Sequence, residues 1–239
     1  LLEQDSLWVD CTSDLAFGYL GTFTQNRQAL VLNDNASTLI NTPALTINEV
    51  SEVRSVRVKI NPDKSAKADF INTYKGDKYE LLCFISSSLS ETQRLQYLEK
   101  RITNAGFQLE SYSIILPDRD VPEVTLNYTA SSEHQVKEYG NELLVKIIPL
   151  ELPILEEPKR RKLPVQINYP VFRTDSLEYT IPVNYSVSSL PQQVTINSVY
   201  GSYRAEYLKL ENSVSVRNQL IINPEAIPLK DYKDFYNFI

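Results

Sequence analysis

Few side chains in this sequence belong to the types that carry acid–base, nucleophilic or metal chemistry. His134 is the single histidine, so any mechanism or metal site that needs two imidazoles is excluded within the chain. It stands in SSEHQV, a polar connector, and reads as a surface histidine. Cys11 and Cys83 are the two cysteines, too few for a disulfide framework or a cysteine-rich zinc site, and are expected as two separate thiols. Cys83 lies in the apolar run ELLCFI, where a small buried hydrophobe is the expectation. Neither cysteine has the glycine-rich turn or helix start that exposes and activates a nucleophile. Asp118 and Asp120 in LPDRDVP supply too few oxygens for a calcium loop and read as turn-forming acids. Glu156 and Glu157 beside Lys159, Arg160, Arg161 and Lys162 read as a solvated linker. With no glycine-rich phosphate loop, serine elbow or zinc spacing, no metal and no cofactor is expected.

Asp10 has a different setting. Trp8-Val9-Asp10-Cys11-Thr12 places a carboxylate at the end or edge of a strand beside a bulky aromatic, with Phe17, Gly18, Tyr19 and Gly21 following. A lone carboxylate in such a place can orient a catalytic imidazole as the third member of a triad. A solvent-facing or turn-capping acid is the competing reading, and spacing alone leaves both open.

The elements that must position these residues are mostly strands. Tyr 15 and Phe 8 against Gly 6 and Met 0 in 239 residues describe a sheet-forming chain, since aromatic rings fill half-buried pleated surfaces. A net charge of −6 argues against a nucleic-acid partner, whose phosphates need clustered Lys and Arg. No segment reaches the run of about eighteen apolar residues that marks a membrane span. The beginning, LLEQDSLWVDCT, has no basic leader, and Leu1 reads as the middle of a longer chain.

Residues 1–48 hold two short strands, QALVLND and STLINTP, joined around Asp34 and Asn35, and have too little apolar surface to fold undocked. SVRVKI, ending at Asn61-Pro62-Asp63, and KADFINTY, ending at Lys75-Gly76-Asp77, alternate as strands. KYELLCFI is expected as a further strand. From Ser88 to Gly106 the period changes: Leu95, Leu98, Ile102 and Ala105 share one helical face, with capping boxes available at Ser90/Gln93 or Ser88/Glu91 and Gly106 as terminator. FQLESYSII, VPEVTLNYTAS and ELLVKIIPL follow as strands. Pro153 to Pro164, PILEEPKRRKLP, is the clearest boundary. Beyond it every segment has strand character, with turns at Tyr200-Gly201-Ser202 and Glu211-Asn212, until Tyr232, Phe235 and Tyr236 fall at helical spacing.

The chain is therefore expected to be mainly β with one principal α-helix. Residues 49–155 form an α+β or helix-decorated β-sandwich domain with its helix at 89–105. Residues 156–239 form a small all-β, sandwich-like domain ending in the start of a helix. Exposed aromatic residues lining a groove on either domain favour a peptide or glycan ligand, whereas smoothly polar outer faces favour a spacer.

The segment LWVDCTSDLAFGYLG resembles the end of the transglutaminase-like, papain-related core of large multidomain proteins from Bacteroidetes and related bacteria. In those proteins one β-rich domain of unknown function precedes the core and a β-rich region follows it. NPDKSAKADFINTYKGDKYELLCFI, SETQRLQYLEKRI, ILPDRDVPEVTLNY, RRKLPVQINYPV, YTIPVNYSVSSLPQQV, GSYRAEY and YKDFYNF resemble the C-terminal region of that family, and their order carries the match. The resemblance implies that residues 1–48 close the core and that Asp10 is the aspartate of a Cys-His-Asp triad. The other two members would then lie upstream of Leu1, and Cys11 would not be the nucleophile. It implies a non-catalytic accessory region serving as a structural, docking or binding module, partnered by the upstream core of the same chain. The alternative is an active acyltransferase or thiol peptidase to which this chain lends only Asp10. Kinship further implies a periplasmic, outer-membrane-associated or extracellular parent. The substrate is not implied.

Overall fold

The computed structural model describes residues 7–32, 36–101, 106–116 and 118–239. A short helix α1 (Gly21–Thr24) precedes a hairpin of β1 (Gln28–Val31) and β2 (Thr38–Asn41), paired antiparallel as their spacing predicts. Asp34 and Asn35, the expected link, lie outside the described residues.

Strict alternation then builds β3 (Ser51–Ile60) and β4 (Ala66–Tyr74). Val56, Val58, Ile60, Ala68 and Phe70 are buried while Ser55, Arg57 and Asp69 face water, the period-two pattern of a half-covered antiparallel pair. The turn closes where Asn61-Pro62-Asp63 predicts: the Ser65 N–H donates to Asp63 Oδ1 at 3.0 Å and the Asn61 N–H to the Ser65 carbonyl at 2.9 Å.

The next segment departs from expectation. KYELLCFI, expected as a strand, lies in helix α2 (Asp77–Ser88). An apolar run this short is ambiguous by period alone, and the start decides it. Gly76 sits at φ +69°, where an added Cβ would meet Val50 at 3.1 Å, and Asp77 and Glu80 place carboxylates in the positive first turn. Tyr79, Leu82 and Ile85, three apart, are the buried stripe. Leu89 is extended and breaks the chain before α3 (Glu91–Arg101). The Ser90/Gln93 capping box forms there, with the Ser90 N–H on Gln93 Oε1 at 3.0 Å and the Gln93 N–H on Ser90 Oγ at 3.4 Å. One principal helix thus becomes two. Leu98 is buried and Leu95 exposed; Ile102 and Ala105 lie outside the described residues, and Gly106 has φ +97°.

The remaining elements are β5 (Gln108–Ile115), β6 (Val124–Ser132), β7 (Val136–Tyr139), β8 (Glu142–Val145), β9 (Val165–Gln166), β10 (Val171–Thr180), β11 (Val194–Ser198), β12 (Gly201–Lys209), β13 (Ser213–Ile222), β14 (Ala226–Ile227) and α4 (Tyr232–Phe238). The principal sheet has eight strands in the order β11-β12-β13-β10-β3-β4-β6-β5. All its neighbours pair antiparallel except β10 and β3, which run parallel from Phe172↔Ser51 to Thr180↔Lys59. A division was expected between residues 155 and 156, yet the sheet runs across it. The protein is mainly β, of α+β type, with α2 and α3 packed with one face of the sheet in a shared core that includes Val56, Phe70, Leu82, Leu98, Leu177 and Val216. Phe70 stacks on Tyr128 at 4.2 Å within it.

A second core gathers Val165, Leu220, Ile222, Ile227, Tyr232 and Phe235 around α4. The Tyr232 hydroxyl donates to the Glu156 carbonyl and Arg161 lies over the Tyr232 ring at 5.0 Å. The proline-bounded stretch is thereby held down by α4.

Candidate functional site

Among the described residues, Asp10 and His134 make their hydrogen bonds within their own turns, with Thr12 and Ser132, and not with each other. Asp10 is half-buried and caps its own turn: the Thr12 N–H and hydroxyl both donate to Asp10 Oδ1, at 2.8 and 2.6 Å. These bonds hold its carboxyl below the usual aspartate range. Cys11 is exposed and free; Cys83 is free and half-buried, and burial pushes its thiol up, away from the thiolate. His134 is exposed, and its backbone N–H donates to Ser132 Oγ at 3.1 Å. Asp118 accepts the Arg119 N–H at 2.6 Å in a turn. Arg160 and Arg161 of the basic run are occupied by Glu157 and by the carbonyls of Leu163 and Pro164. Among the described residues no group of three His, Cys, Asp or Glu side chains could hold a metal.

The segment carrying Asp10 is seated on α2. Glu80 accepts the Tyr19 hydroxyl at 2.8 Å, the Thr22 N–H at 2.5 Å and the Thr22 hydroxyl at 2.9 Å. The Ala16 N–H donates to the Tyr79 hydroxyl at 3.0 Å, and Tyr19 meets Tyr79 edge-on at 5.5 Å.

Charge concentrates at the parallel joint. Arg54 and Asp175, direct neighbours across β3 and β10, form a buried pair, with Arg54 Nε on Asp175 Oδ1 at 2.9 Å. Arg54 Nη2 also donates to the Pro149 carbonyl at 2.7 Å. Two residues along the same face, Arg173 Nε donates to Glu52 at 2.8 Å, and Lys78 of α2 bridges Glu52 and Glu151, each at 2.7 Å. Burial pushes the Asp175 carboxyl up against the pull of Arg54. The space left among these residues is about 20 Å³, room for about one water. A two-residue slip of β10 would set Glu52 opposite Asp175 or Arg54 opposite Arg173, so these pairs also fix the register of the joint.

The open site lies at the other end of β10. After Thr180 the chain leaves the sheet as Ile181–Pro191, set by Pro182 and Pro191 and tied by Ile181 N–H to the Asn212 carbonyl at 3.1 Å and Lys209 Nζ to the Val187 carbonyl at 2.9 Å. The β7–β8 hairpin stands opposite, turned by Gly140-Asn141 with Gly140 at φ +61°, the left-handed geometry of a two-residue turn. Lys64 of the β3–β4 turn pairs with Glu138 and anchors the hairpin on the sheet. Between the walls is a groove of about 800 Å³, of ligand-pocket size. Its floor includes Ile60, Tyr179, Val214 and Val216. The Tyr179 hydroxyl accepts the Ile148 N–H at 2.7 Å, and burial pushes its pKa up to about 12. Tyr139 and Tyr185 remain 60% and 41% exposed at the rim. Glu142 is the one carboxylate among the lining residues, which include no His, Cys, Lys or Arg.

The lining carries one carboxylate and no imidazole, thiol or amine, and its apolar floor, tyrosines, and Asn and Ser side chains can bind an uncharged chain. The outer face of the sheet, by contrast, is largely polar, carrying Ser55, Arg57, Asp69, Glu178 and Arg217. None of the groove residues was singled out from sequence. The Gly140-Asn141 turn inside VKEYGNELLV was the available signal for one wall; the other has no periodic pattern.

Residues 142–239 match the family model described as a domain of unknown function with a solved structure (DUF3858). That span contains β8, the 181–191 wall and the groove floor contributed by β10 and β13. No curated protein and no solved structure matches the chain.

Proposed function

We propose that this chain is a non-catalytic β-rich binding module whose ligand, an uncharged stretch of peptide or glycan, occupies the groove between the β7–β8 hairpin and residues 181–191. The observation that carries this reading is the groove itself: about 800 Å³, rimmed by exposed Tyr139 and Tyr185, with a single carboxylate among its lining residues. The resemblance of the chain to the C-terminal region of transglutaminase-like proteins supports an accessory role beside such a core, in an exported parent. The test is an NMR titration of the labelled chain with a tryptic peptide pool and, separately, with cello- and chito-oligosaccharides. Amide shifts confined to groove residues are expected with one of the two; groove amides that move with neither reject the reading. The same preparation is expected to show no turnover of peptide amides.

A second reading concerns Asp10. The Thr12 bonds that keep its carboxylate ionised suit an aspartate that orients a histidine supplied by the upstream core. Asp10→Ala in the full-length parent is then expected to lower turnover by orders of magnitude with folding intact. Unchanged activity rejects the assignment.

A further inference from the structure

The β7–β8 hairpin is a two-stranded sheet, so each strand is paired on one side. Its register, Val136↔Val145 through Tyr139↔Glu142, is extended by the Lys146 N–H on the Gln135 carbonyl at 2.7 Å. That bond marks Gln135 and Lys146 as a hydrogen-bonded pair, and alternation then makes Lys137/Leu144 and Tyr139/Glu142 the next ones. The backbone N–H and C=O groups of Leu143 and Val145 consequently point away from β7, along the edge that lines the groove. An edge with open donors and acceptors is a template for another strand.

Resting on the binding reading above, we infer that the groove accepts an extended peptide that adds to β8 as a third strand, bonded to the backbone of Leu143 and Val145. Three features of the site fit this occupant. Leu143 and Val145 turn their side chains to the core, so an added strand continues the hairpin's plane and lays alternate side chains on the floor of Tyr179, Val214 and Val216. The opposite wall, carrying Tyr185 and Leu190, closes over the strand from the other side. Charge selects the sequence: with Glu142 as the only charged lining residue, the groove suits neutral peptides or those with one cationic side chain near Glu142, and disfavours acidic ones. Main-chain bonds supply affinity in this mode and alternate side chains supply selectivity.

The experiment is a selection of random heptapeptides displayed on phage against the whole chain, followed by synthesis of the selected sequence. Single N-methyl groups are then placed at each position in turn and binding is measured by fluorescence polarisation. Methylation at residues whose N–H faces β8 is expected to weaken binding about ten-fold, as for one lost hydrogen bond, while methylation at the intervening residues has little effect. Hydrogen exchange at Leu143 and Val145 is expected to slow in the complex. Because the changes are made on the peptide, the protein's folding is not in question. Failure to select any peptide overturns the inference, as does binding that is indifferent to N-methylation. Groove amides that shift only with oligosaccharides, or with protein concentration alone as a second copy fills the groove, also overturn it. Peptide binding without the alternating pattern removes strand addition but leaves the binding module standing; a groove that binds nothing removes both.

Discussion

The two ends of β10 use the same strand in opposite ways. At Arg173 and Asp175 it meets Glu52 and Arg54 in a seam where each charged side chain has an opposite partner and space remains for about one water. At Tyr179 and Ile181 it borders a groove some forty times roomier, with one carboxylate and two exposed tyrosines. Ionic groups that in another protein would suggest catalysis are here consumed in joining strands from distant parts of the chain. The surface with spare capacity is the one with little charge. A dense cluster of titratable groups therefore marks the joint, and the more useful sign of a ligand is unpaired backbone beside exposed aromatics.

The sharpest way to break that contrast is to remove one member of the buried pair. Arg54→Ala or Asp175→Ala leaves a charge buried without its partner and is expected to cost about 3–5 kcal/mol in urea unfolding. Arg54→Met with Asp175→Leu, which removes both charges and keeps volume, is expected to recover most of that loss. If the double variant is as unstable as the singles, the seam acts through the Arg54 bond to the Pro149 carbonyl rather than through ion pairing.

Glu80 gives the next largest effect. Its carboxylate accepts three bonds from Tyr19 and Thr22, so Glu80→Ala leaves those donors unmatched and is expected to cost about 1–3 kcal/mol. Limited proteolysis should then cut within residues 7–32 first. Cleavage that begins elsewhere at an unchanged rate would show that the apolar contacts of Ala16 and Tyr19 seat this segment unaided.

Much of this was legible in the sequence, and the gaps have physical causes. Alternation in SVRVKI and KADFINTY marks β3 and β4, the Ser90/Gln93 box marks the start of α3, and Tyr232, Phe235 and Tyr236 mark α4. Arg54 stands in phase with Val56, Val58 and Ile60, and Asp175 with Leu177 and Tyr179. The phase alone tells that both charges point inward; their pairing depends on a parallel contact bridging 121 residues, which no local pattern encodes. ELLCFI misled because a short apolar run fits a buried strand and a buried helix equally until the backbone at Gly76 chooses. The groove was hidden because one wall is two four-residue strands and the other, NYSVSSLP, has no period at all.

A smaller effect should appear in acid. Burial works to raise the Glu151 pKa, but the attraction and hydrogen bond of Lys78, with Arg173 and Arg54, outweigh it and hold the group below its ordinary 4.5. A depressed carboxyl contributes stability above its unfolded pKa and loses that contribution as pH falls through its folded value. Glu151→Gln should therefore flatten the loss of stability below about pH 4.5. Asp77 on α2, raised by burial, acts with the opposite sign and offsets part of the acid loss in both proteins. An unchanged acid limb in Glu151→Gln would mean that Lys78 is held by Glu52 alone.

The smallest expected change in stability is at the groove. Tyr139 and Tyr185 are exposed at its rim, and neither belongs to the two buried cores. Truncating either to Ala removes surface that water already reaches, so the unfolding free energy from urea titration should stay within about 0.5 kcal/mol of that of the unsubstituted chain. Binding of a selected peptide should fall by about ten-fold or more, as for an aromatic anchor at an interface. These two readouts move in opposite directions from those at the seam, where stability drops and the groove stays intact. A loss of several kcal/mol in Tyr139→Ala would instead make the tyrosine part of the hairpin's own support. The open end of β10 would then be a second joint, and the difference between the two ends would disappear.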